Sequence, residues 1–301
     1  MGEILEIKLI LCPVDFSEIS IRAYRYALSL AEHYQARLVV QHIVELWRHP
    51  SVGFVTSADL YEEFERTLRE SGKEQLREFV KKHTYGEIQP ELVMHGGFAS
   101  DSILAFAQAQ NTDVIVIGSH GRRGFDRLML GSVTDRVMRR ASCPVLVVGK
   151  LFTESLPADE RRPHLHHVSR ILFCTDFSEN SEWALNYAIS VRAEYDAELT
   201  LLHVLHEPST PAETEEAIVA AKQRLDRLIA SQGRKSLKIE TAVRIGKPYE
   251  QIIQFSVNAQ IDMVTMGVRG RSALDVAVFG STTYRVMQLG PSPVLAVAQK
   301  F

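Results

Sequence analysis

The chain has 301 residues, a length that suggests two domains of about 150 residues each. Its composition, 46% hydrophobic and 24% charged, is that of an ordinary globular protein rather than a disordered chain. A formal net charge of -3 argues against a dedicated nucleic-acid binder, which usually carries an excess of basic residues.

Strands and helices alternate along the first half of the chain. The apolar run at residues 8–14 predicts a buried strand, and Ser17 is the expected N-cap of a helix at 18–34. Further strands are predicted at 37–44, 88–95, 114–117 and 145–148, and further helices at 59–83, 100–110 and 133–139. Such alternation predicts a mostly parallel sheet with helices on both faces. Ligands of these sheets bind beyond the carboxyl ends of the strands, where Asp15 and Gly118 are expected to lie.

The second half of the chain repeats the first. KLILCPVDFS at residues 8–17 returns as RILFCTDFS at 170–178, so Asp15 and Asp176 are 161 residues apart, as are His42 and His203. Farther along, NTDVIVIGSHG at 111–121 returns as QIDMVTMGVRG at 260–270, an offset of 149. The first repeat is therefore 12 residues longer between its histidine and Gly97. Copies of this length are too long for solenoid units and predict duplicated domains.

We divide the chain into a first domain at residues 1–150, a linker at 151–167 and a second domain at 168–301. The linker contains Pro157 and Pro163 among mixed charges without periodicity. Three histidines lie in it, His164, His166 and His167. We expect them to be solvated, because no cysteine or carboxylate lies at a spacing suited to a metal site.

The three cysteines, Cys12, Cys143 and Cys174, lie far apart and match no zinc-binding spacing. Such a low, odd count fits a reducing compartment, and we expect a cytoplasmic protein with buried thiols. No stretch reaches the roughly 20 apolar residues that span a membrane. The apolar run near the N-terminus follows acidic residues and is predicted to be a strand, not a signal peptide.

A glycine-rich loop follows the fourth strand of each repeat. GSHGRRGFDRLMLGS at 118–132 and GVRGRSALDVAVFGS at 267–281 share the pattern Gly-x2-Gly-x9-Gly-Ser. Glycines let the backbone approach phosphate oxygens, and the helix that follows adds N-terminal amides and a dipole that favour an anion. The pattern is neither a Rossmann fingerprint nor a P-loop. It predicts a phosphate-binding loop in each repeat, and the alternative is that the glycines only turn the chain.

These motifs resemble the universal stress protein family, in particular its tandem two-domain members. The resemblance covers nearly the whole chain apart from the linker and is carried by VDFSE, the histidine near the end of the second strand, GSHGRRG and LGSVTDRVMRRASCPVLVV, with their second copies. It implies in each repeat a five-stranded parallel sheet of order 3-2-1-4-5. In the ATP-binding branch it also implies an ATP site where the strand order reverses.

The resemblance assigns roles to individual residues. Asp15 would contact the adenosine end of ATP, and Ile43, next to Val14, would hold adenine through its backbone. The phosphates would lie against Gly118, His120, Gly121, Arg122, Gly131, Ser132 and Val133. The second-repeat counterparts are Asp176, Val204, Gly267, Gly270, Gly280, Ser281 and Thr282. Mg²⁺ or Mn²⁺ would bridge the phosphates, and no side-chain metal site is expected.

Some residues near these sites have an alternative explanation or differ between the repeats. From the residues alone, Asp15 is as well explained by helix capping as by ligand binding. His42 and His203 are expected to be hydrogen-bonded core histidines rather than ligands. Arg122, Arg123 and Arg127 of the first loop align with Arg271, Ser272 and Val276 of the second. Because the first loop has more positive charge, we expect the first site to bind triphosphate more tightly.

The same residues favour a binding protein over an enzyme. Neither loop has a lysine, and Asp126 and Asp275 are the loop carboxylates. We therefore expect an ATP-binding regulatory protein of the stress response. The alternatives are a slow ATPase or autophosphorylating enzyme, a nucleotidyl-transfer enzyme, and a structural stress scaffold with vacant sites.

The resemblance also implies that the final strands, 145–148 and 294–297, pair within the chain. A homodimer of tandem chains and a regulatory protein partner are further expectations.

Overall fold

The computed structural model of the chain describes residues 6–45, 58–121, 130–149, 151, 168–206, 210–231, 239–268 and 280–298. Contacts divide them into two compact units, one from Glu6 to Val145 and the other from Leu146 onward. Among the described residues, no helix combines the length and the apolar character needed to cross a membrane.

The first repeat alternates strands and helices as its sequence predicts. Its elements are β1 (Leu9–Pro13), α1 (Glu18–Tyr34), β2 (Arg37–Val44), α2 (Ala58–His83), β3 (Glu91–Gly96), α3 (Ala99–Ala109), β4 (Val114–Gly118), α4 (Ser132–Arg140) and β5 (Val145–Val148). The largest departure from prediction is β3, which begins three residues late. Pro90 precedes it, and a proline has no N–H to contribute to the sheet.

The second repeat has the same succession of elements. They are β6 (Arg170–Cys174), α5 (Glu179–Tyr195), β7 (Glu198–Leu205), α6 (Pro211–Ser231), β8 (Ile239–Ile245), α7 (Pro248–Asn258), β9 (Met263–Gly267), α8 (Ser281–Leu289) and β10 (Val294–Val297). The duplication inferred from the sequence is therefore a duplication of structure.

The strand order is β3-β2-β1-β4-β5 in the first repeat and β8-β7-β6-β9-β10 in the second, which confirms the predicted order. β1 is parallel to both β2 and β4, and β6 is parallel to both β7 and β9. The order reverses direction at β1 and β6. Because crossovers between parallel strands are right-handed, this reversal places α1 and α2 on one face of the sheet and α3 and α4 on the other. It also opens a crevice beyond the carboxyl ends of β1 and β4.

The central strands are buried along nearly their whole length. Every residue of β1, β4 and β5 is buried, and so is every residue of β10. Such strands lie between two helical layers, which explains their continuous apolar sequences. Cys12 in β1 is fully buried and Cys174 in β6 is 6% exposed, and burial raises the pKa of both thiols well above its ordinary value. The structure shows these cysteines as free thiols.

An aspartate just before the fourth strand fixes the start of the first strand in each repeat. Asp113 Oδ2 accepts hydrogen bonds from the backbone N–H groups of Lys8 at 2.8 Å and Leu9 at 2.9 Å. Asp262 Oδ2 accepts the equivalent bonds from Ser169 and Arg170, both at 2.8 Å. Each carboxylate thereby sets the register between the two strands whose ends form the crevice.

Candidate functional site

Asp15 lies in the turn that joins β1 to α1. Its Oδ1 accepts a hydrogen bond from the N–H of Ser17 at 3.1 Å, and the Ser17 side chain caps α1 by accepting from the N–H of Ser20. In the second repeat Asp176 Oδ1 accepts from the N–H of Ser178 at 3.0 Å. Each aspartate therefore closes its own turn through one carboxylate oxygen.

The other oxygen of Asp15 lies against Gly121. A Cβ atom placed on Gly121 would lie 2.5 Å from Asp15 Oδ2, which is closer than Cβ atoms come to neighbouring atoms in folded proteins. The two residues are 106 positions apart in the sequence, and they meet because β1 pairs with β4. A side chain at this position would displace the carboxylate from the place that it occupies here.

The two described ends of the first glycine-rich loop meet each other. The N–H of Gly131 donates to the carbonyl oxygen of Ser119 at 2.8 Å, and a Cβ on Gly131 would lie 3.3 Å from His120 Cα. Ser119 Oγ lies 3.0 Å from His120 Nδ1. Arg122 and the other arginines of this loop fall at positions 122–129, outside the described residues.

The closed loop leads directly into α4. Gly131 is its N-cap and provides no side-chain cap, and the exposed Ser132 and half-buried Val133 form its first turn. Thr134 Oγ1 donates to the carbonyl oxygen of Gly118 at 2.8 Å and ties the helix to the end of β4. Backbone amides at such a helix start carry partial positive charge and favour an anion.

The second repeat reproduces the described part of this arrangement. The N–H of Gly280 donates to the carbonyl oxygen of Val268 at 3.1 Å, and Thr283 Oγ1 donates to that of Gly267 at 3.0 Å. Gly280 is the N-cap of α8 without a side-chain cap, and Ser281 and Thr282 begin the helix. Gly270 lies outside the described residues.

The positions expected to hold adenine lie at the same edge. The N–H of Val14 donates to the carbonyl oxygen of Gln41 at 2.8 Å, so β2 continues past the end of β1 and carries Ile43 beyond it. Val204 has the equivalent place in β7, because the N–H of Thr175 donates to the carbonyl oxygen of Leu202 at 3.0 Å.

His42 and His203 are hydrogen-bonded to the backbone, in agreement with the sequence-based interpretation. His42 Nδ1 lies 2.8 Å from the carbonyl oxygen of Val14, and His203 Nδ1 lies 2.7 Å from that of Thr175. Because a carbonyl oxygen only accepts, each Nδ1 is the donor.

The sequence did not reveal the role of two pairs of residues at the site. Phe16 and Phe177, directly after the aspartates, have positive φ values of 65° and 59°. Thr134 and Thr283 bind the carbonyl oxygens of the first loop glycines. What marks these residues in the sequence is that they recur in both repeats. The motif DFS recurs at an offset of 161, and the threonine two residues after the Gly-Ser pair recurs at an offset of 149.

The floor under the first loop glycine differs between the repeats. A Cβ on Gly118 would lie 2.7 Å from Ile19 Cγ2, a side-chain methyl, and 3.3 Å from the Ile19 backbone. A Cβ on Gly267 would meet backbone atoms, with Asn180 O at 3.0 Å and Ser181 N at 3.2 Å. In both repeats the glycine lets the fourth strand approach the first turn of the helix after the first strand.

Within the described ranges, no group of three or more His, Cys, Asp or Glu side chains could hold a metal ion.

The chain belongs to the Universal stress protein family, whose model matches residues 6–149 and 167–298. Universal stress protein MJ0531 of Methanocaldococcus jannaschii is 33% identical over 143 residues, which cover 48% of this chain and 82% of that protein. Universal stress protein Slr1230 of Synechocystis sp. is 24% identical over 306 aligned positions, covering 96% of this chain and 99% of the relative. The crystal structure of a universal stress protein from Archaeoglobus fulgidus shares the fold, with a TM-score of 0.64, 20% identity and coverage of 97% and 98%.

Proposed function

We propose that the chain binds an adenine nucleotide, and ATP foremost, at the carboxyl ends of β1 and β4 and at the equivalent place in the second repeat. The observation that carries the proposal is the contact between Asp15 and Gly121. It sets an acceptor-only carboxylate beside a glycine-rich loop whose far end opens an uncapped helix. A ligand that bears hydrogen-bond donors at one end and an anion at the other matches this polarity.

The nucleotide would lie with its nucleoside at Asp15 and its phosphates at α4. A carboxylate repels phosphate and accepts hydrogen bonds from ribose hydroxyls or an exocyclic amine. The backbone amides from Gly131 to Val133 attract phosphate oxygens. Ile43 would contact adenine through its backbone at the end of β2. Mg²⁺ or Mn²⁺ would bind through phosphate oxygens, which suit hard divalent cations.

The second repeat supports the same proposal with Asp176, Val204, Gly267, Gly280, Ser281 and Thr282. Its loop is anchored by the same two hydrogen bonds, those of Gly280 and Thr283. The proposal that the first site is the tighter one depends on the loop arginines. Calorimetry on separate Gly121 and Gly270 variants tests it, and an equal loss of binding in both would contradict the ranking.

Thermal unfolding with and without ATP and Mg²⁺ tests the proposed function. A ligand that binds only the folded state stabilises it by about 2.7 kcal/mol when present at 100 times its Kd. Asp15→Asn should reduce this stabilisation, because the amide retains an oxygen for the Ser17 N–H but loses the charge. Asp101→Asn is the matched control, since Asp101 pairs with Arg140 on the exposed surface of α3.

Mass spectrometry of small molecules released from the denatured protein provides an independent test and identifies the nucleotide. If no nucleotide is released and ATP does not shift the unfolding temperature, the proposal is wrong and a scaffold with vacant sites is favoured. The homodimer and the regulatory protein partner stay predictions from the family resemblance, and light scattering after gel filtration tests the first.

A further inference from the structure

The turn that carries the proposed nucleoside-binding aspartate is strained in both repeats. Phe16 has φ 65° and Phe177 has φ 59°, in the left-handed region that residues with a bulky side chain rarely adopt. Such a conformation costs about 1–3 kcal/mol and persists only where surrounding contacts enforce it. Something next to each turn must therefore supply those contacts.

His42 contacts the residues on both sides of Asp15. Its Nδ1 donates to the carbonyl oxygen of Val14 at 2.8 Å, and its ring stacks on Phe16 with 4.3 Å between centroids and 33° between planes. One side chain thus fixes both the end of β1 and the strained residue that follows the aspartate. The Nδ1–H tautomer of neutral histidine and the charged ring both have this donor, so the bond does not require a particular charge state.

His203 makes the same two contacts around Asp176. Its Nδ1 donates to the carbonyl oxygen of Thr175 at 2.7 Å, and its ring lies 4.4 Å from that of Phe177 at 41°. Each phenylalanine ring also contacts a second side chain, and this side chain differs between the repeats. Phe16 also packs on Phe79, with 5.5 Å between ring centroids, whereas the Arg224 guanidinium lies 4.0 Å from the centroid of Phe177. The arrangement of histidine, carbonyl and phenylalanine is what the two repeats share.

We infer that His42 and His203 are positioning residues of the two nucleotide sites, which they preorganise by holding Asp15 and Asp176 in place. The inference rests on the proposed function and adds residues that do not themselves touch the ligand. Its geometric reason is the narrow space beside Asp15, where Oδ2 already abuts Gly121. A small shift of the turn would move the carboxylate away from the ligand or into the loop. A preorganised carboxylate binds more tightly, because less order is lost on binding.

Two substitutions separate the hydrogen bond of His42 from its ring. In His42→Asn, the side-chain amide nitrogen can occupy the place of Nδ1 and still donate to Val14. His42→Phe keeps a ring for stacking on Phe16 but has no donor. His33→Asn is the matched control, since His33 lies exposed near the end of α1. If the phenylalanine variant does not fold, His42→Leu provides the same loss of the donor.

Calorimetry on the full-length chain measures the affinities for ATP and for inorganic triphosphate. His42→Phe should weaken ATP binding about tenfold, the upper end of what one hydrogen bond contributes. His42→Asn should recover most of that loss. Triphosphate lacks the nucleoside that Asp15 would contact, so its affinity should change in neither variant. His203→Phe and His203→Asn should produce the same pattern at the second site.

A double-mutant cycle with Asp15→Asn distinguishes positioning from general structural support. If His42 acts through Asp15, His42→Phe should cost no further ATP affinity once the carboxylate is absent. Wild-type affinity in a folded His42→Phe chain would overturn the inference and leave the proposed function standing. Equal losses with and without Asp15, or an equal loss for triphosphate, would also overturn it. A wild-type chain that binds no adenine nucleotide would overturn both proposals.

Discussion

The carboxylate of Asp15 occupies the space that any side chain at position 121 would need, since a Cβ on Gly121 would fall 2.5 Å from Oδ2. The contact joins the end of β1 to the start of the phosphate loop. It therefore couples the two halves of the proposed nucleotide site, the Asp15 turn and the glycine-rich loop, so that a substitution in one half should change the geometry of the other.

Gly121→Ala should disturb this site far more than the fold. The added methyl would displace the tip of the Asp15 side chain, and its backbone neighbours need not move. We expect the free energy of unfolding to fall by less than about 1 kcal/mol, while ATP affinity falls at least about tenfold. Chemical denaturation and calorimetry on the same preparation measure the two effects. Wild-type ATP affinity in the folded variant would contradict the assigned role of the contact.

Alanine at the first loop glycine should destabilise the second repeat more than the first. At Gly118 the nearest atom to the new methyl is a side-chain methyl, Ile19 Cγ2, and the Ile19 backbone is farther away at 3.3 Å, whereas at Gly267 the nearest atoms all belong to the backbone of Asn180 and Ser181. Overpacking costs about 1–3 kcal/mol, and we expect Gly118→Ala near the lower value and Gly267→Ala near the upper. Urea unfolding of the paired variants measures the difference. Equal destabilisation by the two substitutions would contradict this prediction and show that α1 and α5 accommodate the added methyl equally well.

Removing the aspartate that fixes the first strand should reduce stability in proportion to the burial of its partners. Asp113→Ala deprives one partly buried and one exposed N–H of an acceptor, and we expect a loss of about 1–2 kcal/mol. Asp262→Ala should cost less, because both of its N–H partners are exposed to water. Asp101→Ala, which removes an exposed ion pair with Arg140, should change stability by about 0.5 kcal/mol or less. A larger loss for Asp262→Ala than for Asp113→Ala would refute this reasoning.

Glycine should stabilise the chain where a helix ends in the left-handed conformation. Gln35, the C-cap of α1, has φ 51°, and we expect Gln35→Gly to raise the free energy of unfolding by about 1 kcal/mol. Gln110, the C-cap of α3, has φ −97° and serves as the control. Gln110→Gly should not stabilise the chain, because that conformation suits any residue. Thermal or urea unfolding of the two variants compares them directly.

Periodicity and turn chemistry predict the elements of this fold well. The bounds of α1, β2 and β5 follow from the sequence residue by residue, because each lies between clear caps or apolar limits. The sequence predicts a start for β3 that is three residues too early, since Ile88 continues the apolar pattern while Pro90 has no N–H to pair with a neighbouring strand. Strand order came from the family resemblance, because local patterns do not say which strands are neighbours.

The site was predictable as a set of residues but not as a geometry. The contact between Asp15 and Gly121 spans 106 positions and depends on which strands pair. The left-handed Phe16 has no local signal, because phenylalanine does not favour positive φ. The pairing of His42 with a backbone carbonyl was expected in kind, but its partner follows only from the register of β1 and β2.

The buried thiols of Cys12 and Cys174 lie one in the first strand of each repeat. Burial keeps each thiol protonated and shielded, so an alkylating reagent reaches it only after that strand separates from its neighbours. With Cys143→Ser removing the third thiol, the two alkylation rates would report the opening of each repeat in one unlabelled chain. Equal rates would mean that the two first strands open with the same free energy, and unequal rates would rank the local stabilities of the two repeats.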